Sequence, residues 1–279
     1  MPAATDAALT PLAPGQIIRL QRGPLEVELA PAAGGRIAQI RVDGEDWLVG
    51  PDDNWPAAIA WGCYPMVPWA GRVRHGRFSL GGRDYALRAN LDGHAIHGVG
   101  FARPWAVRSL GEASADMELA LPNDAHWPFG GMARQHVVLG EDSLRLTLSA
   151  QAGAQPMPVV LGWHPWFRKP ARLQFSPQAM YPRDEEGIAV LPTVDATPGP
   201  WDDCFRVAGE LVLERGAHRL RMSSDCTHWV VYDGTPHAIC VEPQSGPPDA
   251  FNLRPRILPP GQCLAVRFDL AWERLPADE

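Results

Sequence analysis

The feature that most constrains this chain is its punctuation. Proline and glycine recur along its whole length, 29 and 27 times in 279 residues. Proline removes a backbone donor and clashes with the preceding turn, and glycine weakens a helix interior, so long helices are disfavoured. Between these breaks the hydrophobic pattern has period two. Leu25-Glu26-Val27-Glu28-Leu29, Met117-Glu118-Leu119, Leu144-Arg145-Leu146-Thr147-Leu148 and Leu264-Ala265-Val266-Arg267-Phe268 all alternate. Such alternation marks strands with one buried and one wet face. Asp43-Gly44 and Gly81-Gly82 stand between strand-like runs, where two-residue hairpin turns favour these residues. The chain therefore reads as all-β. With 46% hydrophobic residues it is too apolar for disorder and long enough to bury a large core.

Composition excludes several kinds of chemistry. Of 25 basic residues only Lys169 is lysine, so a Schiff base would rest on it alone. No Gly-Lys-Ser/Thr occurs, and Gly98-Val99-Gly100 begins a dinucleotide fingerprint that fails at Arg103. The formal charge of −7 and the scattered arginines give no support for nucleic-acid binding. The five cysteines form no Cys-x-x-Cys pair, which disfavours a thiolate metal site or a disulfide framework. Neither a signal peptide nor an apolar run long enough to span a membrane is found, so a cytoplasmic location without membrane partners is expected. Residues 1–14 read as a flexible N-terminal lead, and 15–279 as a single domain. The irregular stretch from Asp184 to Asp203, with Pro192, Pro198 and Pro200, is long enough to suggest a loop covering a site.

Four segments combine polar groups with glycine, proline and tryptophan. Pro68 to Phe78 holds Arg72, Arg74 and Arg77; read as a strand, it puts Arg72 and Arg74 on one face, either solvated or binding hydroxyls or anions. Gly93-His94-Ala95-Ile96-His97-Gly98 offers two histidines three apart, which is weak evidence for a metal without a third donor. Gly162-Trp163-His164-Pro165-Trp166-Phe167 surrounds a histidine with aromatic rings; burial lowers its pKa unless a carboxylate supports the charge. Glu242 follows the apolar run Ala238-Ile239-Cys240-Val241 and opens onto a Pro/Gly turn, a position suited to a general base.

Taken in order, these segments resemble the galactose mutarotase (aldose 1-epimerase) superfamily. The matching residues are Gly71-Arg72-Val73 and Gly76-Arg77-Phe78, then Asn90, Gly93 and Ile96-His97-Gly98, then His164-Pro165-Trp166-Phe167. Asp202-Asp203-Cys204-Phe205 follows, and then Glu242-Pro243-Gln244, Gly246-Pro247-Pro248-Asp249 and Asn252. The resemblance spans residues 15–275. It implies one large antiparallel β-sandwich, the galactose mutarotase-like supersandwich, with a sugar cleft on one sheet face. By the same resemblance Glu242 is the catalytic base and His164 the general acid, and Arg72, His97 and Asp202 bind the substrate. The implied reaction swaps the anomers of a free monosaccharide and needs no metal or other cofactor. It requires His164 to be protonated, with Glu242 helping to hold the proton.

His94 has no matched role, and Arg74 and Arg77 are read as structural or rim residues. The chain departs from the family pattern at Gly71, where many members place asparagine, around His164, and in Asp202-Asp203-Cys204-Phe205. The sugar is therefore left open, with hexose 6-phosphates, bound by Arg74 or Arg77, as one alternative. A silent sugar-binding protein, a glycosidase and a metal-dependent isomerase built on His94, His97 and Glu242 are the others.

Overall fold

The computed structural model describes residues 6–276. Two antiparallel sheets carry the fold. The larger, of ten strands, runs in the order Ile18–Arg22, Leu25–Ala30, Arg36–Val42, Cys63–Met66, Gly162–Arg168, Ala238–Gln244, His228–Tyr232, Asp202–Val207, Pro177–Tyr181, with Glu45–Asp46 added beside Arg36–Val42. The smaller, of eight strands, is centred on Ser143–Gln151 paired with Cys263–Arg274. The all-β sandwich expected from the sequence is the fold observed. Among the described residues no helix is long and apolar enough to cross a membrane.

Alternation works as expected in the smaller sheet. Leu144, Leu146 and Leu148 are buried while Arg145, Thr147 and Ser149 face outward. Asp43-Gly44 and Gly81-Gly82 form two-residue hairpin turns, all four residues having positive φ as such turns require. Between the sheets Trp163 and Trp229 of the larger sheet both pack on Phe268 of the smaller, with ring centroids 5.8 and 5.9 Å apart. Gln135 bridges the layers: its Nε2 donates to the Gly35 carbonyl (2.6 Å) and its Oε1 accepts from Trp163 Nε1 (2.9 Å).

The central strands of the larger sheet are buried on both faces, which is why their sequences do not alternate. Every residue of Ala238–Gln244 is buried, as are the first six of Gly162–Arg168. One face packs into the sandwich through Trp163, Phe167, Val241 and Trp229. The other, carrying Tyr64, His164, Trp166, Cys240, Glu242 and Gln244, is roofed by loops.

Arg36 fastens three of those loops. Its guanidinium is fully buried and donates to the carbonyls of Ala33 (2.6 Å), Trp61 (2.8 Å) and Phe101 (2.7 Å), lying 4.1 Å over the Trp61 ring. Burial lowers its pKa to about 9, so it stays charged at neutral pH.

From residue 6 on, the N-terminal lead is described. Residues 1–5 of the proposed flexible lead lie outside the described residues, but the rest is docked. Ala7–Leu9 forms a 3-10 turn, Ala8 is fully buried and donates to the Asn90 carbonyl, and Leu12 donates to Pro56. Backbone pairing and the buried Ala8 hold the segment, which composition alone does not reveal.

Replacing Arg36 with methionine, similar in bulk but without donors, leaves three buried carbonyls unpaired. Urea unfolding should show a loss on the order of 3–5 kcal/mol, with Arg36→Lys recovering only part because a point charge cannot fork to three acceptors. A loss below about 1 kcal/mol would mean that these carbonyls find other partners.

Candidate active site

A cavity of about 260 Å³ opens on the roofed face of the larger sheet. His164, Glu242, Arg72, His97 and Asp202, singled out from the sequence, all line it. Five separate segments bring them together. His164 and Glu242 come from neighbouring antiparallel strands, and Asp202 from the strand beyond His228–Tyr232. Arg72 sits on the short strand Arg72–Val73, paired with Ala95–Ile96, and His97 follows that partner directly.

His164 Nε2 lies 3.3 Å from Glu242 Oε1, and both side chains are almost wholly buried. The imidazole is held between two rings on the same sheet face, Tyr64 at 4.8 Å and Trp166 at 5.4 Å, both nearly parallel to it. Tyr64 is its cross-strand partner and Trp166 its neighbour two residues on, so sheet register builds this stack. Glu242 Oε2 accepts from Gln244 Nε2 at 3.1 Å.

His97 occupies the left-handed region (φ 59) and Gly98 follows at φ 76, where a Cβ would lie 2.0 Å from the Val67 carbonyl oxygen. The glycine is therefore obligatory, and the turn it permits aims His97 at His164, ring centroids 4.9 Å apart. Among the described residues, His97 Nδ1, His164 Nδ1 and Gln244 Oε1 are buried without a hydrogen-bond partner. Three such atoms around one cavity are a mark of a site made for a polar ligand, since each unpartnered group costs about 1–3 kcal/mol.

Burial sets the charge state of the floor. It pushes Glu242 well above the usual carboxylate range, with the charge of Asp202 adding to the rise and Gln244 and Arg72 opposing it. It pushes His164 down to about 3 and His97 well below the ordinary imidazole range. Both shifts run against the expectation that Glu242 keeps His164 protonated, because burial of the pair favours the uncharged form of each group.

The sequence reading missed several lining residues. Arg183, Gly187, Ile188 and Ala189 form one wall, and Tyr232 and Gln244 complete the polar edge. The Gly-to-Ala part lies in the loop expected to cover a site, and it does so. Arg183 Nη1 donates to Asp202 Oδ2 at 2.8 Å and its Nε to Asp203 Oδ1 at 3.1 Å. Burial raises the pKa of Asp202, while Arg183 and Arg72 pull it back. The only hint of Arg183 in the sequence is its place at the mouth of the proline-rich loop.

Arg72 and Arg74 do not share a strand face. The strand ends at Val73, a turn follows through His75 (φ 48), and Arg74 points to Asp184 and Glu186. Neither Arg74 nor Arg77 lines the cavity, so neither is placed as a phosphate ligand there. His94 is also outside it, its Nδ1 accepting from the His75 backbone N–H at 3.1 Å. His94, His97 and Glu242 do not converge. Among the described residues, the groups of three whose donor atoms come within 4.8 Å of one another are His75, His94 and Glu186, and His164, Cys240 and Glu242. The first has Arg74 against Glu186 and the His94 nitrogen already engaged, a poor setting for a cation.

Fold and cavity together give an antiparallel β-sandwich with a carboxyl–imidazole pair buried in a cleft on one sheet face. The family model for aldose 1-epimerase matches residues 16–270, and the chain belongs to that family. Escherichia coli YphB is 32% identical over 135 residues, 47% of this chain and 46% of that protein, so that match spans about half of YphB. Escherichia coli YihR is 24% identical over 85% of this chain and 86% of its own length. Among solved structures, a galactose mutarotase-like protein from Clostridium acetobutylicum superposes with a TM-score of 0.83 at 18% identity, covering 93% of this chain and 95% of that one. Galactose 1-epimerase from Lactobacillus acidophilus NCFM gives 0.78 at 19%, with the same coverage.

The charge states predict a pH signature. The raised pKa of Glu242 means the folded chain keeps a proton the unfolded chain loses above about pH 4.3, so this group lowers stability as pH rises. The lowered pKa of His164 means the unfolded chain takes up a proton below about pH 6.5 that the folded chain takes only near 3, so stability falls with pH across that window. Glu242→Gln should therefore raise the Tm at pH 8 and flatten the alkaline slope, and His164→Asn should flatten the acid slope. A Glu242→Gln Tm below wild type at pH 8 would show that the carboxyl is stabilising as an anion.

Proposed function

We propose that the chain is an aldose 1-epimerase interconverting the α and β anomers of a free aldose, with residues 15–279 acting as one domain. The observation that carries this reading is the 3.3 Å contact between His164 Nε2 and Glu242 Oε1, both facing a cavity rimmed by hydrogen-bonding groups. Anomer exchange removes the proton of the C1 hydroxyl, protonates the ring oxygen, lets the open-chain C1 carbonyl present its other face, and reverses the steps. One base and one acid suffice, and the proton balance over the cycle is zero.

The shared proton supplies both roles. When a sugar fills the cleft, its hydroxyls and the Arg72 guanidinium solvate the Glu242 carboxylate, and the proton crosses to His164. Glu242 then takes the C1 hydroxyl proton while His164 delivers its own to the ring oxygen. The net charge of the floor never changes, so no step has to create an uncompensated charge in a dry site. Arg72 and Asp202 hold vicinal hydroxyls, Arg183 fixes the Asp202 carboxylate, and His97 adds a further polar contact. The face of Trp166 is available for the sugar's C–H surface.

The test is polarimetric relaxation of freshly dissolved α-glucose, α-galactose and other common aldoses. Wild type should speed relaxation, and Glu242→Gln and His164→Asn should each lower kcat about 10²–10⁴-fold, the usual contribution of a general acid or base. Wild-type rates in both variants would overturn the assignment. Calorimetric sugar binding with no rate enhancement in the wild type would make the chain a binding protein instead.

A further inference from the structure

The wall made by Arg183–Ala189 is a small hairpin with its own internal bonding. Asp184 N–H donates to the Ile188 carbonyl (3.0 Å) and Gly187 N–H to the Asp184 carbonyl (2.9 Å). Asp184 Oδ1 accepts from the backbone N–H groups of Glu186 and Ile188, each at 3.0 Å. Its returning arm, Gly187 to Ala189, and Arg183 at its start line the cavity, while the turn residues Glu185 and Glu186 do not. The hairpin thus has a fixed shape, and what decides the shape of the cleft is where it sits.

Two attachments set that position. On the sheet side Arg183 binds Asp202 and Asp203. On the far side Arg74 ion-pairs with both Asp184 and Glu186, and His75 Nε2 lies 3.2 Å from Glu186 Oε1. Arg74 is itself anchored, since its backbone N–H donates to Asp249 Oδ1 at 3.0 Å. Asp249, 3% exposed, also donates its backbone N–H to the Arg72 carbonyl at 2.7 Å and accepts from Asn252 Nδ2 at 2.8 Å. One rigid corner therefore fixes the backbone on both sides of Val73.

We propose that Arg74 is a positioning residue that latches the Arg183–Ala189 hairpin over the cleft and so sets substrate affinity without touching the substrate. This rests on the epimerase reading for its kinetic consequence but not for its structural one. The guanidinium spans two carboxylates on one hairpin, which a single point charge does less well. All three side chains are partly exposed, at 29%, 30% and 44%, so the latch is weak enough to release and sensitive to salt.

The experiment uses the full chain and variants Arg74→Ala, Arg74→Lys, Asp184→Asn and Glu186→Gln. Asp184→Asn keeps the oxygen that caps the hairpin and removes only the charge. Arg74→Ala should raise KM about three- to tenfold, the size of two partly exposed ion pairs, with kcat within about twofold of wild type. Arg74→Lys should recover part of the affinity. Arg74→Ala combined with Asp184→Asn and Glu186→Gln should add little to Arg74→Ala alone, because they remove one interaction. Hydrogen exchange of residues 184–190 should speed up in Arg74→Ala, and in wild type at high salt. Unchanged exchange there, or a fall in kcat with KM constant, overturns the latch. If wild type proves inactive on every aldose, the epimerase reading fails while the exchange data still decide the latch.

Discussion

The buried guanidinium of Arg36 is the constraint on which the cleft rests. A charged group without a carboxylate partner is expensive to bury, and here three carbonyls and the face of Trp61 replace its water. Those carbonyls belong to loops far apart in sequence, so satisfying one side chain fixes three chain passages at once. The same guanidinium sits 5.0 Å from the Tyr64 ring, and Tyr64 stacks on His164. Its positive charge also helps to keep His164 unprotonated. One residue thus ties the loops together and adds to the burial that disfavours a charged His164.

From this follows the unusual character of the central strands. A sheet with both faces dry normally fills both with aliphatic groups, yet here one face carries a carboxyl, an imidazole and an amide. Desolvation of these groups opposes folding, and the unpartnered nitrogens of His97 and His164 add to that cost. The sandwich can sustain it because the opposite face is packed against a second sheet through Trp163, Trp229 and Phe268. Low dielectric disfavours the charged form of both Glu242 and His164, and it makes a hydrogen bond to any polar ligand in the cleft worth more than in water.

How much of this was legible in the sequence depends on the range of the interaction. Strands with one wet face declare themselves, as Leu144, Leu146 and Leu148 do, because burial and exposure alternate residue by residue. The two-faced strands do not alternate, and Glu242 stood out only as an acid after an apolar run. Glu242, His164, His97, Arg72 and Asp202 were found together by their order in the chain, and their convergence on one cavity is geometry that spacing does not encode. Charge state is less legible still. A nearby carboxylate favours a protonated His164 and burial opposes it, and the depth of burial that weighs the two is not written in the sequence. Arg183 and Arg74 were missed or left without a role because their partners lie across the cavity mouth, on segments whose proximity only the folded chain creates. The backbone bonds of the N-terminal segment to Asn90 and Pro56 are likewise invisible to composition.

The departure at Gly71 shows why the sugar is the hardest part to read. Gly71 has φ 67, and a Cβ there would come within 2.8 Å of Pro248 Cβ. An asparagine, as many family members have, would therefore need both a strained backbone and a displaced Pro248. The turn through Pro248 leads into Asp249, which holds the Arg72 carbonyl and the Arg74 N–H. Glycine at 71 and proline at 248 are thus one choice, in which close packing of two segments replaces a side-chain amide at the edge of the cleft. What this edge loses in hydrogen-bonding capacity it gains in fixing Arg72, so on the proposed function selectivity would fall to Arg72 and to the opposite wall of Arg183, Asp202 and the Arg183–Ala189 hairpin. On the proposed epimerase reading a sugar would be distinguished there by the direction of its hydroxyls relative to two guanidinium planes, a property of three-dimensional arrangement that no single motif carries.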